Sequence, residues 1–338
     1  MLRSMYAGIS GMKVNQTKLD VTGNNIANVS TTAFKSSRVR FQDMLSQNVQ
    51  EAVGPGSNLG GVNGRQVGLG VSVAGIDTVV SQGMLQPTSR NLDVAIDGTG
   101  YLVVAKGKLP ENDGNGNGIQ INEEKHEITD GKEFQVSYTR DGAFALDYEG
   151  NLLTSDGYRV MGYVFDNNID YTQNTVKFVD AEGKNKKLEA SKELLPLRIP
   201  DSVKPDGGGD KDKKIRSFSI EKNGLIKGVL DDGTVTALGQ IAMVSFKNPE
   251  GLKKEGKNLY SNTANSGIPI VRSGIGADKD KDNSEAYGDM VQGMLEMSNV
   301  DLAEQFTDMI VTTRAFQASG KMISTGDEIL QDIINLKR

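Results

Sequence analysis

Cysteine and tryptophan are absent from the 338 residues, and histidine occurs once. Without cysteine there are no disulfides, no thiolate metal sites and no cysteine nucleophile. The redox compartment stays open, because a chain without thiols works in either environment. Aromatic residues make up 6% of the chain. Glycine is frequent, at 40 residues, or roughly 12% against a usual ~7%. Much of the backbone is therefore expected in turns, short strands and exposed segments around modest cores. No apolar run approaches the ~18 residues of a membrane helix. The start, Met1-Leu2-Arg3-Ser4-Met5-Tyr6, lacks the continuous apolar core of a cleaved signal. A formal charge of −6 gives no general attraction to nucleic acid or to an anionic membrane, so neither is expected as a partner.

Catalytic constellations are missing as well. The lone His126 stands in the charged stretch Glu123-Glu124-Lys125-His126-Glu127 and reads as a solvated loop residue. There is no P-loop, no dinucleotide fingerprint and no His-Glu-x-x-His. Lys35, Arg38 and Arg40 form a basic cluster without the interleaved aromatics of a single-strand nucleic-acid site. No enzymatic activity and no cofactor are expected. One metal pattern is present: Asp113, Asn115, Asn117, Gly118 and Glu124 have the spacing of a twelve-residue calcium loop. Two charged ligands and no evident flanking helix make it a weak candidate, with a polar insertion as the default.

The two ends of the chain carry heptad patterns. Met5, Met12, Leu19 and Ile26 form one row, with Leu2 and Ile9 beside it. At the other end Leu295, Leu302, Met309, Phe316, Ile323 and Leu330 share a row, with Phe306 and Ile334 on the adjacent one. Ser298 reads as the N-cap of a helix from about Val300 to Leu336, roughly 55 Å long. Both stripes are narrow, so the helices are expected to be poorly ordered alone and to fold against each other and against neighbouring copies.

The middle has a strand rhythm. Tyr138 to Tyr163 reads as a meander with turns at Asp141-Gly142, Gly150-Asn151 and Asp156-Gly157. Further strands are expected at 71–80, 92–104, 217–220, 225–229 and 238–246. The Gly-rich stretch 54–70 reads as a flexible separator that lets the β domains tilt. Residues 106–132, 200–214 and 277–285 read as loops.

Several segments then carry a resemblance. Gly23-Asn24-Asn25-Ile26-Ala27-Asn28 with Thr32-Ala33-Phe34-Lys35 resembles the N-terminal signature of bacterial flagellar rod and hook proteins. Gln66 to Val71, Leu92 to Tyr101, Tyr138 to Phe144, Gly150 to Leu153, Leu238 to Ile241 and Gly256 to Tyr260 resemble later segments of that family, in order. Leu295 to Leu302 and Arg314-Ala315-Phe316-Gln317 complete the set. Residues 107–133 and about 164–214 stand outside it, and Ala33 replaces the family's usual Gly.

The resemblance implies an α+β fold, with long terminal helices pairing as a coiled-coil-like inner domain and all-β domains in the middle. The expected division is 1–30 plus 298–338 for helical assembly, and 31–71 plus 272–297 as a connecting segment. A β core is expected at 72–163 plus 215–271, with a small inserted outer domain at 164–214. The implied function is that of a hook subunit, self-assembling into the flexible extracellular joint; the alternative is the distal rod. Leu2, Met5, Ile9, Met12, Leu19, Ile26, Leu302, Phe306, Met309, Phe316, Ile323 and Leu330 are the expected self-assembly residues. Phe41-Gln42-Asp43-Met44-Leu45 resembles the element by which early flagellar substrates engage the export gate, with Phe41 and Leu45 as its apolar residues. The implied partners are copies of the chain itself, the distal rod, hook cap and hook–filament junction proteins, and the flagellar type III export apparatus, without a cleaved signal.

Overall fold

The computed structural model describes all residues except 1, 57–59, 111–117, 123, 129–133, 167, 172, 174, 182–187, 206–211, 278–280 and 337–338. The chain forms two compact units, both discontinuous in sequence. The first unit holds residues 1–30, 35–81 and 299–338, and the second holds 31–34 and 82–298.

In the first unit, helix α1 spans Leu2–Ala27 and helix α2 spans Leu302–Leu336. At 1.5 Å per residue α2 is roughly 52 Å long. Its N-cap is Asp301, not Ser298: the Asp301 carboxylate accepts the backbone N–H of Ala303 at 2.8 Å and of Glu304 at 3.3 Å. Leu295 stands in the strand Met294–Glu296, ahead of the helix, so the apolar row of α2 begins at Leu302.

The two helices run antiparallel. Gly326 faces Met5, Ser319 and Ile323 face Gly8, and Met12 faces Gly320. Lys18 pairs with Asp308 at 3.2 Å, and Asn25 donates to Gln305 at 3.0 Å. Small residues let the backbones approach. A Cβ on Gly8 would stand 3.3 Å from the Ser319 carbonyl oxygen, and one on Gly11 3.1 Å from Ser319 Oγ.

The same unit contains a long β ribbon. Strand β1 (Ser37–Asp43) pairs antiparallel with β4 (Val71–Thr78), with a bulge at Arg40/Phe41. Strand β2 (Ser46–Gln50) pairs with β3 (Arg65–Gly68), and a further bridge joins Val53 to Val62. Met44 N–H to Gly70 O and Leu69 N–H to Leu45 O make the ladder continuous. The expected Gly-rich separator thus contains the return arm of a paired ribbon. Likewise 71–78 belongs with the ribbon and not with the β core. The base of the ribbon rests on α1, where Val71 N–H donates to Ser10 Oγ at 3.3 Å.

Among its described residues, the regular structure of the second unit is β apart from two short 3₁₀ turns. Strand β5 (Leu85–Pro87) pairs with Met294–Glu296, and β6 (Val94–Asp97) with Asp289–Gln292. Strand β7 (Tyr101–Gly107) pairs with Phe134–Thr139 from Leu102 to Gly107. The strand Arg159–Phe165 bonds to β7, to Ala190–Pro196 and to Val235–Ile241. Runs such as Tyr101 to Ala105 and Val160 to Phe165 are buried at every position, as expected for strands covered on both faces.

The 164–214 region is not a separate outer domain. Ile169, Tyr171, Val176, Ile199 and Val203 sit in the same apolar cluster as Val94, Leu102, Phe144 and Ile241. Several of its strands are two or three residues long, too short for the period-2 alternation that reveals a strand in sequence.

Candidate assembly interface

The expected self-assembly residues divide between two environments. Met5, Met12, Leu19, Ile26, Met309, Ile323 and Leu330 are half-buried, and Ile9, Leu302, Phe306 and Phe316 are exposed. The Leu2 side chain lies outside the described residues. The row of α2 nearest α1 also contains Thr312, Ser319 and Gly326, with Thr312 and Gly326 buried. An apolar heptad search passes over such a row, because small and polar residues fill it.

Other apolar side chains of this unit meet water. Tyr6 on α1 and Ile310, Val311, Met322, Ile329 and Ile333 on α2 are exposed. Along the ribbon, Phe41, Met44, Leu45, Val49, Val53 and Val67 are exposed, Leu45 at 83%. Every residue of β2 and β3 is exposed. A two-stranded ribbon is marginal in water by itself, and contiguous exposed apolar surface marks an interaction site. Phe41 and Leu45 of the export element both lie on this ribbon, Phe41 opposite Val73.

Polar pins fix the geometry within the first unit. Asn25, 2% exposed, accepts the Ser37 N–H at 3.0 Å and donates to the Ser37 carbonyl at 2.9 Å, while its amide also reaches Gln305. Asn299 accepts the Ser36 N–H at 2.8 Å and donates to the Val79 carbonyl at 2.9 Å. Buried Lys35 donates to the Ser81 carbonyl at 2.7 Å. Asn25 and Asn299 were singled out in sequence as signature letters; their hydrogen-bonding roles become visible when distant segments meet.

The second unit has its own buried charges. Arg140 Nε donates to Glu296 Oε2 at 2.8 Å, with both side chains almost fully enclosed. The same guanidinium donates to the Gly98 carbonyl at 2.9 Å and lies over the Tyr101 ring. Burial pushes the Tyr101 phenol up to about 12, with Arg140 opposing and Glu296 reinforcing. Removing one partner of such a pair costs about 3–5 kcal/mol, because the other charge is left buried alone. Burial also raises the Asp141 carboxyl above its ordinary value, against hydrogen bonds from the Ala143 N–H, Asn258 and Thr32. Ala33 adopts φ 55°, a left-handed conformation that suits glycine better. The turn before Phe34 forms nonetheless, held by Ala33 N–H to Glu296 O at 2.7 Å.

Asp113, Asn115 and Asn117 of the calcium pattern lie outside the described residues; Glu124 is exposed, and the Gly118 N–H donates to Glu193. His126 is half-buried at a positive φ, its Nε2 2.7 Å from the Lys281 carbonyl oxygen. It borders a cavity of about 340 Å³ shared with Tyr163, Ser191 and Gly274.

Comparison with known proteins decides the class. Residues 5–35 match the flagella basal body rod protein family, and residues 291–336 match the flagellar basal body rod FlgEFG protein C-terminal family. Residues 125–228 match the flagellar hook protein FlgE/F/G D1 domain. The flagellar basal-body rod protein FlgG of Bacillus subtilis is 40% identical over 338 residues, covering 100% of both chains. The chain belongs to the flagellar rod and hook protein family.

Two further members come from Borreliella burgdorferi. Its flagellar hook protein FlgE is 32% identical over 450 residues and its rod protein FlgG 32% over 339, each with 100% of both chains covered. Rod and hook proteins are structural parts of the flagellum and assemble as polymers, and this chain is structural and not an enzyme. The D1 match includes 164–214, which the sequence reading had left outside the family resemblance. The N- and C-terminal matches contain Asn25, Glu296 and Asn299, so the family signatures coincide with the polar pins.

Proposed function

We propose that this chain is a subunit of the distal rod, the straight drive shaft of the flagellum, and not of the hook. The observation that carries the reading is the 338-residue, end-to-end correspondence with the rod protein of Bacillus subtilis at 40% identity. The Borreliella hook protein is less similar, and its alignment runs over 450 residues, so it contains insertions relative to this chain. The fold supports the same choice. The hook reading leaned on an added outer domain at 164–214, and those residues share the core of the second unit. The Gly-rich stretch expected to let the β domains tilt carries β3 of a continuous ribbon. Paired backbone resists bending better than a free Gly-rich linker does.

Assembly then works by burial. Copies cover the exposed apolar faces of α1, α2 and the ribbon, and the polymer gains what the monomer leaves in water, about 25 cal/mol per Å². The partners are other copies, the adjoining rod and hook segments, and the flagellar type III export apparatus. Phe41 and Leu45 suit an export element on a segment whose side chains the monomer leaves uncovered. Electron microscopy of tubes purified from cells that supply this chain alone tests the reading. Straight tubes that restore rod formation in a strain lacking its distal rod subunit are expected. Curved tubes that restore the hook overturn it.

A further inference from the structure

We propose that Glu296 and Asn299, three residues apart on one segment, form a double collar that gathers the passages of the chain between its two units. The chain changes unit four times, after residues 30, 34, 81 and 298. In the second unit, the residues nearest these passages are 31–34, 82–84 and 297–298, and Glu296 ties the first two of these segments to the strand that leads into the third. Its carbonyl oxygen accepts the Ala33 N–H at 2.7 Å. Its carboxylate accepts the Gly83 N–H at 2.9 Å and Arg140 Nε at 2.8 Å. Met297 N–H to Met84 O, at 2.9 Å, extends the pairing of β5 with Met294–Glu296 toward the passage. The packing leaves no slack: a Cβ on Gly83 would fall 2.0 Å from the Met297 carbonyl oxygen. The Asn258 amide adds a bond to the Thr32 carbonyl at 3.0 Å.

In the first unit the residues nearest the passages are 28–30, 35–37, 79–81 and 299, and Asn299 binds the second and third of these segments. It accepts from Ser36 N–H and donates to the carbonyls of Val79 and, at 3.2 Å, Ser81. Lys35 closes the group on Ser81.

The physical consequence is load sharing. A torque carried along the chain is shared by the passages after 34, 81 and 298, because these are bundled within each unit. Unbundled, the tautest strand would yield first. Burial stiffens the Glu296 half, 2% exposed, since hydrogen bonds with no competing water open rarely. The buried carboxylate satisfies two donors together, which a neutral amide of the same shape cannot, because one of its two atoms is itself a donor. Glu296 and Asn299 are therefore positioning residues for torque transmission, in rod or hook alike.

Hydrogen exchange on the full-length monomer tests this. Glu296→Gln should speed exchange at Gly83 and through 82–86 by about tenfold or more, the factor for loss of one charged hydrogen bond. Strands 101–107 and 159–165 should stay within about twofold. Asn299→Ala should speed exchange at 36–37 and 79–81 by about fivefold or more while leaving 31–34 and Gly83 unchanged. Unchanged rates in the named segments of either variant overturn the collar. So does equal acceleration throughout the second unit, which would make Glu296 an ordinary core residue.

Discussion

The two units of this chain solve opposite problems with the same amino acids. In the second unit Leu102, Val103, Val104, Val160, Leu238 and Val244 are fully buried. The large apolar side chains it leaves exposed are, among the described residues, Met84, Leu146, Tyr148 and Ile268. In the first unit Val14 is the one fully buried large apolar side chain among the described residues, whereas Tyr6, Leu45, Val49, Phe306, Ile310 and Ile333 lie open. Its enclosed groups are largely polar: Thr22, Asn25, Lys35, Ser36 and Thr312. The second unit is finished as a monomer. The first leaves most of its large apolar side chains in water and is held in shape by hydrogen bonds.

The largest expected effect is on proteolysis of the dilute monomer. Cleavage in 1–30, 35–81 and 299–338 should run about a hundredfold or more faster than in the β unit, because local opening there exposes little additional apolar surface. Comparable resistance of both units would break the comparison. Next in size, Leu102→Ala should destabilise the second unit by about 2–5 kcal/mol, read by chemical denaturation. In contrast, Phe316→Asp should shift monomer stability by about 1 kcal/mol or less and yet abolish tube formation, since the charge is unpaired once copies pack over it. Tubes of normal yield from that variant would place Phe316 outside every contact.

The smallest effect is a pH slope. Asp141 has its pKa raised by burial, so the folded state holds that proton more tightly than the unfolded chain does. Its contribution therefore declines as pH climbs from the ordinary carboxylate range through the raised folded value. Denaturation of Asp141→Asn beside the parent should show a flatter pH dependence over that window. Identical slopes would remove Asp141 as a source.

What could be read from sequence followed the chemistry that has a period. Alternation revealed the strands around Phe144, Leu225 and Leu238, and the row Met309, Phe316, Ile323, Leu330 revealed one edge of α2. The other edge went unread because Thr312, Ser319 and Gly326 work by being small. Leu295 was counted in the heptad row because it falls in register, although it lies in the strand ahead of the helix, which Asp301 caps. Residues 71–80 read as a strand, but 54–70 read as a flexible separator because its glycines outweighed the exposed, unpatterned strand within it. Arg140 with Glu296 lies 156 residues apart in sequence and Asn299 with Ser36 263, so no local pattern could join them.

The antiparallel seam has a consequence for the life of the chain. Asn25 and Gln305, facing each other across it, are 280 residues apart. Closing a loop of that length costs about 5 kcal/mol before any contact repays it. During synthesis α1 is made before α2 and waits for it. A product that stops before Leu302 lacks the partner helix and cannot close the seam.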